Sequence, residues 1–330
     1  MERSNRKSDP RPSKHFSLDT VGEGVRAAIA ANEGAAVSNV ALIDLGGQII
    51  VFDTFMTPQA ASDLRQTSLD RFGWTPGLVI NSHYHNDHIW GNQVFAGDAP
   101  IISSARTAEL IASAGREEFD WYSENSSSQL ESLLAEYKTL SDQQERSQMT
   151  FWIAYYEGLV EALPDLRVIM PEVLFEGRLE FHGDRRNAEL LVFEDAHTGS
   201  DAVLYLPDDQ FIFMSDLLFV GCHPYLADGD PLQLHSALKH IAELDATRYV
   251  PGHGPVGTRD DLMLMIEYVE RCLELASEMP AGEHAQKEWI AALGVPEPFQ
   301  DWQYPQFFQS NMQFLCQSAN GQKEDNTSDR

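Results

Sequence analysis

The sequence predicts an α/β fold, and two observations support this prediction. Residues 40–53 and 203–216 both run strand, turn, strand and terminal aspartate over the same interval. Helical patterns accompany these hairpins, of which the clearest are residues 57–72 and residues 258–278. The two hairpins indicate a weak internal duplication within an α/β chain.

Composition limits the classes of function that need to be considered. The chain has 330 residues, of which 43% are hydrophobic and 22% charged, as is usual for a globular protein with an ample core. A run of about 18 apolar residues is needed to span a membrane, and the sequence contains none. The net charge of −28 repels nucleic acid phosphates. We therefore expect a small-molecule substrate, neutral or apolar, and no nucleic acid or membrane partner.

The ends of the chain differ in composition from its middle. Residues 1–14 are polar and basic and have no apolar core of a secretory signal, so we expect a flexible arm and a cytoplasmic protein. Residues 317–330 are polar, and we expect a disordered tail. The cysteines Cys222, Cys272 and Cys316 are widely spaced and form no CxxC pair, which argues against a disulfide framework.

Turn and capping signals place the elements of the first half. Residues 16–31 are expected to contribute a strand and a turn. Gly46 and Gly47 separate the strands of the first hairpin, because glycine tolerates the positive φ of tight turns. Thr57 and Pro58 mark a helix start, and a strand over residues 77–81 follows.

Residues 107–163 form a helical, aromatic-rich insert. Its rings are interpreted either as helix packing or as a lid that contacts substrate. The candidates for substrate contact are Trp121, Trp152, Tyr155 and Tyr156. Strands resume after residue 167, and a helix over residues 232–242, a short strand at residues 249–250 and the helix over residues 258–278 follow the second hairpin.

The residues after the strand at 77–81 carry the strongest chemical signal. His83, His85, Asp87 and His88 fall within six positions, at a predicted transition from strand to helix. Imidazole and carboxylate are the ligands that Zn²⁺ and related divalent metals prefer. The first two histidines share a face of extended backbone, whereas the other two residues lie past the turn. The spacing therefore suggests two metal positions, with a solvated histidine-rich loop as the alternative.

Three further residues complete a recognisable pattern. His197 lies in Ala-His-Thr-Gly, Asp216 ends the second hairpin, and His253 lies in Pro-Gly-His-Gly. The H-x-H-x-D-H loop followed by His, Asp and His in this order resembles the metallo-β-lactamase-fold hydrolases, from about residue 39 to residue 257. That resemblance implies a four-layer αββα sandwich over residues 15–316, with the helical insert between the first and second ligand loops.

The resemblance also implies roles for individual residues. One metal would be held by His83, His85 and His197, and the other by Asp87, His88 and His253, with Asp216 bridging the two. Asp87 and Asp216 would be catalytic, with Asp87 orienting the attacking water. Asp53 matches an aspartate that supports the ligand loop, although it can also be read as a plain strand-end carboxylate. Two Zn²⁺ ions per chain are expected, with Fe or Mn as alternatives.

The predicted reaction is attack of zinc-activated hydroxide on a small apolar or aromatic ester-like substrate, with a lactone or aryl ester favoured. The alternatives are a thioesterase of glyoxalase II type, a β-lactamase-like enzyme, a hydrolytic dehalogenase, and a non-hydrolytic mononuclear iron oxygenase. Trp90, His223 and Tyr225 join the insert aromatics as pocket candidates, each with core packing as an equal alternative. Two departures from the family pattern are Ser215, where glycine is common, and the long insert. A homodimer is left open.

Overall fold

Two β-sheets form the centre of the computed structural model, which describes residues 12–328. The first sheet has seven strands that follow one another in chain order. They are β1 (Phe16–Gly22), β2 (Val25–Ala30), β3 (Val40–Asp44), β4 (Ile49–Phe52), β5 (Leu78–Ile80), β6 (Ile101–Ser104) and β7 (Val173–Phe175). The second has five strands, β8 (Arg178–His182), β9 (Asn187–Phe193), β10 (Asp201–Leu206), β11 (Phe211–Phe219) and β12 (Arg248–His253), in the order β12-β11-β10-β9-β8.

Helices flank the sheets and form the insert. They are α1 (Pro58–Phe72), α2 (Asn86–Ile89), α3 (Ala105–Ala112), α4 (Ala114–Tyr137), α5 (Gln143–Ala162), α6 (Pro231–Ile241), α7 (Arg259–Ser277), α8 (Glu283–Ala292) and α9 (Gln306–Ser328). Within residues 12–328, no helix combines the length and the apolar character that a membrane span requires.

Side-chain alternation along the strands produces four layers. In β10, Leu204 faces the core between the sheets, whereas Val203 and Tyr205 face the helices outside. In β3, Ile43 faces the inner core and Leu42 packs toward α1. Successive side chains of a strand point to opposite faces, so each sheet is buried on both sides. The αββα sandwich predicted from the resemblance is confirmed.

The internal duplication is visible as a repeated unit. β3 and β4 pair antiparallel, α1 follows, and β5 joins parallel to β4. In the second sheet, β10 and β11 pair antiparallel, α6 follows, and β12 joins parallel to β11. Each unit ends in a histidine-bearing segment. The two units therefore bring equivalent strand ends, and the side chains beyond them, to one edge of the sandwich.

Local signals positioned α1 and α7 correctly. The Thr57 hydroxyl accepts a hydrogen bond from the Ala60 N–H, and Gly73 adopts a φ of 80° at the other end of α1. Before α7, Thr258 donates both its backbone N–H and its hydroxyl to the Asp261 carboxylate, at 2.7 and 2.8 Å. These contacts satisfy polar groups that a helix start would otherwise leave without partners.

The sequence predictions differ from the structure in several elements. Residues 16–31 form two paired strands, β1 and β2, rather than one strand and a turn. β6 and β8 were not predicted. α9 is helical to Ser328, where a disordered tail was expected from residue 317; its first turns pack Phe308 and Met312 into the core, and helix elongation beyond a fixed start is favourable. The predicted flexible arm lies mostly in residues 1–11, outside the described residues.

Candidate metal centre

Four loops and strand ends bring the sequence-predicted ligands to one edge of the sandwich. His83 and His85 lie in the connection from β5 to α2, and Asp87 and His88 form the first turn of α2. His197 lies between β9 and β10, Asp216 is within β11, and His253 ends β12. Residues far apart in the sequence thus meet because the strands that carry them end at the same edge.

The seven side chains form two adjoining groups. The first contains His83, His85, His197 and Asp216, and the second contains Asp87, His88 and His253. Within each group, every residue offers a ligand atom that lies within 4.8 Å of the others. This division matches the two metal positions that the resemblance implied.

Asp216 lies where the two groups meet. Its Oδ1 is 3.1 Å from His88 Nε2, and its Oδ2 is 3.3 Å from His197 Nε2 and 3.4 Å from His253 Nε2. Gly252 packs directly against this carboxylate, and a Cβ atom at that position would overlap Asp216 Oδ1. The close passage of β12 therefore requires glycine at residue 252.

Several ligand atoms are buried without hydrogen-bond partners. They include His83 Nε2, His88 Nε2 and Asp216 Oδ1. Orphaned polar atoms are costly in a folded protein unless something else satisfies them. Imidazole nitrogens and carboxylate oxygens that converge in this way are a suitable donor set for divalent metal ions. The residues present therefore fit the two ions that the pattern implies.

The buried charges of the cluster shift one another's pKa values. Burial lowers the pKa of His88, but the carboxylates of Asp216, Asp87 and Asp53 outweigh it and leave that pKa well above its ordinary value. Burial raises the pKa of Asp216, but the adjacent His88 and His253 rings bring it well below its ordinary value. Burial and the neighbouring imidazoles lower the pKa of His83 well below its ordinary value, which favours the neutral ring that a metal requires.

Asp53 supports this cluster from behind. Its Oδ1 accepts the Ser82 N–H at 2.8 Å, and its Oδ2 accepts the Ser82 and Ser215 hydroxyls at 2.8 and 3.0 Å. The same Oδ2 lies 2.8 Å from His88 Nδ1, so it accepts that N–H and turns Nε2 toward Asp216. Ser215, the departure from the common glycine, is a member of this network.

The comparisons with known proteins agree with this geometry. A family model described as the metallo-beta-lactamase superfamily matches residues 34–253, which contain all seven side chains. The chain belongs to this superfamily.

Solved structures show the metallo-β-lactamase fold at the level of architecture. A metallo-beta-lactamase from Pontibacter korlensis superposes with a TM-score of 0.56 at 17% identity, covering 77% of this chain and 99% of that one. A metallo-beta-lactamase from Hirschia baltica superposes with a TM-score of 0.56 at 12% identity, covering 78% and 98%.

A curated relative in sequence is the 2,4-dinitroanisole O-demethylase subunit alpha of Nocardioides sp. (strain JS1661). It is 26% identical over 208 residues, which is 62% of this chain and 49% of the relative. The chain thus matches about half of the length of that protein.

A cavity of about 380 Å³ opens beside the metallo-β-lactamase ligand cluster. Its walls contain ligands from both groups and aromatic side chains, most of which come from the insert and from the C-terminal segment around the start of α9. The aromatic residues are Tyr84, Tyr122, Phe151, Trp152, Tyr155, Phe219, Tyr225, Tyr304 and Phe307. The cavity is mainly aromatic, with carboxylates at the ligand end.

The pocket candidates from the sequence divide into two sets. Trp152, Tyr155, His223 and Tyr225 line the cavity. Trp90, Trp121 and Tyr156 are not among its lining residues, so their prediction as wall residues differs from the structure.

Each of the three has a physical reason for its position. Trp90 is fully buried behind the wall, with its ring centroid 5.7 Å from that of Phe119 and 5.9 Å from that of Tyr122. Trp121 lies on the outer side of α4 and is 47% exposed. Tyr156 packs against Tyr155, at a centroid distance of 5.2 Å.

Sequence reasoning missed two acidic residues beside the ligands. Asp228 accepts the Tyr84 hydroxyl at 2.6 Å and lies 2.9 Å from His85 Nε2, so it can accept that N–H and leave His85 Nδ1 for a metal. Glu118, on α4, lines the cavity near this pair. Neither residue lies at a fixed spacing from the ligand motifs. The one sequence signal for Asp228 is its position in the loop after β11, the strand that carries Asp216.

Proposed function

We propose that the protein is a metal-dependent hydrolase that acts on a small apolar or aromatic ester-like substrate, with a lactone or aryl ester favoured. One observation carries this proposal: two adjoining groups of metal-ligand side chains form one end of an aromatic cavity of about 380 Å³. That volume suits a small molecule, and apolar walls with a few polar groups are typical of ligand pockets.

The ligand roles follow from the two groups. His83, His85 and His197 would hold one ion, Asp87, His88 and His253 the other, and Asp216 would contact both. Zinc is favoured, with iron or manganese as alternatives. Two such ions supply Lewis acidity and lower the pKa of water from 15.7 toward about 7.

Protein side chains would orient the attacking water, accept its proton and position the ligands. Asp87 lines the cavity, and its Oδ2 is 3.4 Å from His253 Nε2 and 3.7 Å from His88 Nε2. A carboxylate in this place can orient an attacking water and accept its proton. Asp228 fixes the His85 ring, and the aromatic walls limit solvent access to the reacting end.

The sequence relative supports a second candidate function. Its name describes O-demethylation of 2,4-dinitroanisole, an electron-poor aryl methyl ether. The aromatic walls of Trp152 and Tyr155 are compatible with such a ring. Because this chain matches only about half of that subunit, cleavage of an activated aryl ether is the second candidate and ester hydrolysis the first.

A substrate panel tests the proposal. The zinc-loaded protein would be assayed with acyl lactones, aryl acetates, a glutathione thioester, a chromogenic cephalosporin, bis-nitrophenyl phosphate and 2,4-dinitroanisole. We expect the highest kcat/KM on a lactone or an aryl acetate, with Asp216→Ala as the inactive control. A preference of tenfold or more for the phosphodiester, equivalent to about 1.4 kcal/mol of transition-state stabilisation, would contradict the substrate class. The highest kcat/KM on the anisole would favour the second candidate.

A further inference from the structure

The insert contributes polar groups as well as aromatic rings to the cavity wall. Glu118 and Tyr122 are four residues apart on α4 and both line the cavity. Positions i and i+4 of a helix lie on the same face, so these two side chains are neighbours on the wall. Neither was singled out by the sequence pattern, and the proposed hydrolytic chemistry does not use either of them.

Glu118 holds an unused acceptor. Its Oε2 is buried and has no hydrogen-bond partner. Burial raises the pKa of this carboxyl to about 7, although His85 and the backbone N–H of Asn86 favour the charged form. An unsatisfied carboxyl oxygen at the wall of a cavity destabilises the free protein, and a donor on a bound molecule would remove that cost.

Tyr122 holds an unused donor. Asn86 Nδ2 donates to the Tyr155 hydroxyl at 3.0 Å, and Tyr155 in turn donates to the Tyr122 hydroxyl oxygen at 2.8 Å. In this chain of bonds, the described residues give the Tyr122 hydroxyl hydrogen no acceptor. The chain begins at Asn86, beside the ligand Asp87, and ends at the cavity wall next to Glu118.

An unpaired acceptor on Glu118 beside an unpaired donor on Tyr122 favours one kind of substituent on a bound molecule. A hydroxyl group can donate to Glu118 and accept from Tyr122 at the same time. A carboxylate or phosphate would meet the negative charges of Asp228 and Asp87, and a methyl or hydrogen substituent would leave both Glu118 and Tyr122 unsatisfied.

We propose that Glu118 and Tyr122 form a recognition site for a hydroxyl substituent of the substrate, remote from the bond that reacts. This inference rests on the proposed function for the presence of an aromatic or lactone substrate in the cavity. It adds the substrate class: neutral molecules that carry a free hydroxyl group in addition to the hydrolysed bond. Glu118 and Tyr122 determine specificity in this proposal and do not take part in bond cleavage.

Binding of unreactive analogues tests the site without requiring turnover. Acetanilide and its 2-, 3- and 4-hydroxy isomers mimic aryl acetates but carry a much less reactive amide. Their affinities for the zinc-loaded full chain would be measured by calorimetry for the wild type, Glu118→Leu, Glu118→Gln and Tyr122→Phe. Glu117→Gln is the matched control, because Glu117 is the exposed neighbour on the same helix.

For the wild type, we expect at least one hydroxy isomer to bind about tenfold tighter than acetanilide, as two hydrogen bonds of about 0.7 kcal/mol net each would give. The ratio should fall to near one in Glu118→Leu and be reduced in Tyr122→Phe, while Glu117→Gln keeps it. Glu118→Leu also removes the acceptor of the Asn86 N–H and should lower the melting temperature. Glu118→Gln keeps an oxygen for that N–H and replaces the free acceptor by an amide NH₂, so its affinity ratio should fall while its melting temperature stays that of the wild type.

The outcomes separate this inference from the proposed function. No preference for any hydroxy isomer, or an unchanged ratio in both Glu118 variants, overturns the recognition site even if aryl esters are hydrolysed. A preference that the Glu118 and Tyr122 variants lose supports the site, even if the substrate panel shows no ester hydrolysis and the proposed function fails.

Discussion

Asp216 connects the two halves of the candidate metal centre through its two carboxylate oxygens. Oδ1 lies beside His88 of the second group, whereas Oδ2 lies beside both His197 of the first group and His253 of the second. The carboxylate therefore contacts both groups. The carboxylate is also a buried negative charge among the surrounding imidazoles, and its loss would weaken the binding of any cation.

Asp216→Ala should therefore lose metal and activity together. We expect fewer than two metals per chain after purification, and turnover lower by several orders of magnitude, about the loss seen when a catalytic unit is broken. Elemental analysis and kcat/KM on the best substrate measure both effects. Asp19→Ala, an exposed aspartate on β1, is the control. Full activity with unchanged metal content in Asp216→Ala would show that the bridging role is wrong.

Asp228 acts through His85 rather than on a substrate. Its carboxylate lies 2.9 Å from His85 Nε2 and accepts the Tyr84 hydroxyl at 2.6 Å. Partners of this kind fix the tautomer and orientation of a ligand imidazole, and their loss costs about 10- to 100-fold in metal affinity or activity. Asp228→Ala should weaken metal binding by that factor, measured by competition with a chelator.

Asp228→Asn provides the matched variant, because its side-chain carbonyl can still accept the His85 N–H. We expect Asn at this position to recover part of the lost affinity. Equal metal affinity in the wild type and both variants would mean that Asp228 does not position His85.

At the scale of elements, the insert has an inner and an outer aromatic surface. Trp152 and Tyr155 of α5 line the cavity, whereas Trp121 of α4 is 47% exposed. Trp152 also packs against the C-terminal segment, with its ring centroid 6.1 Å from that of Phe307 and 6.4 Å from that of Tyr304. The insert and the C-terminal segment thus enclose the cavity between them.

Trp152→Ala should change substrate selection, because it removes a large apolar surface from the wall. We expect KM for an aryl ester to rise about tenfold, because loss of one aromatic contact costs up to about 1.5 kcal/mol. The effect on a short aliphatic lactone should be smaller. Trp121→Ala is the control and should leave both KM values unchanged. The prediction fails if Trp152→Ala lowers the melting temperature while the ratio of the two KM values stays that of the wild type.

The elements that the sequence predicted well are those with strong local signals. Two glycines at residues 46 and 47 with φ of 91° and 94° define the β3 to β4 hairpin, and Thr57 with Pro58 starts α1. β6 lacks such signals, since it consists of only two isoleucines and two serines, which pair with β5 and β7 on either side. Short buried strands depend on tertiary pairing, which is why sequence reasoning omitted this one.

The helical state of the C-terminal segment was unpredictable for a similar reason. α9 is fixed by Phe308, Met312 and Cys316, which are buried against the second sheet and its helices. The polar composition of residues 317–330 suggested disorder, because composition does not show that the preceding turns of the same helix are anchored in the core. The same limit applies at the site: the seven ligand residues follow a known spacing, but Asp228 and Glu118 reach the cavity only through the folded path of a loop and an inserted helix.

Across the whole molecule, metal binding and folding should be coupled. The ligands come from both sheets: four follow β5 of the first sheet, and the other three lie between β9 and β10, in β11 and at the end of β12 of the second sheet. An ion held by His83 and His197, or by His88 and His253, therefore links the first sheet to the second. When no ion is bound, several buried imidazole and carboxylate atoms of the centre have no hydrogen-bond partner, which destabilises the folded state. A ligand that binds only the folded state raises stability by about 2.7 kcal/mol at a hundred times its dissociation constant.

We therefore expect close to two divalent metals per chain by elemental analysis, and a melting temperature that falls by about 5 °C or more when a chelator removes them. Zinc should restore it, and Asp216→Ala should show a smaller response. A melting temperature that does not respond to chelation, in a protein shown to have lost its metal, would mean that the two sheets are held by their apolar core alone. A single iron per chain with no second metal would contradict the two-ion centre and favour the alternative of a mononuclear iron oxygenase, because a single iron is the metal content that this alternative predicts.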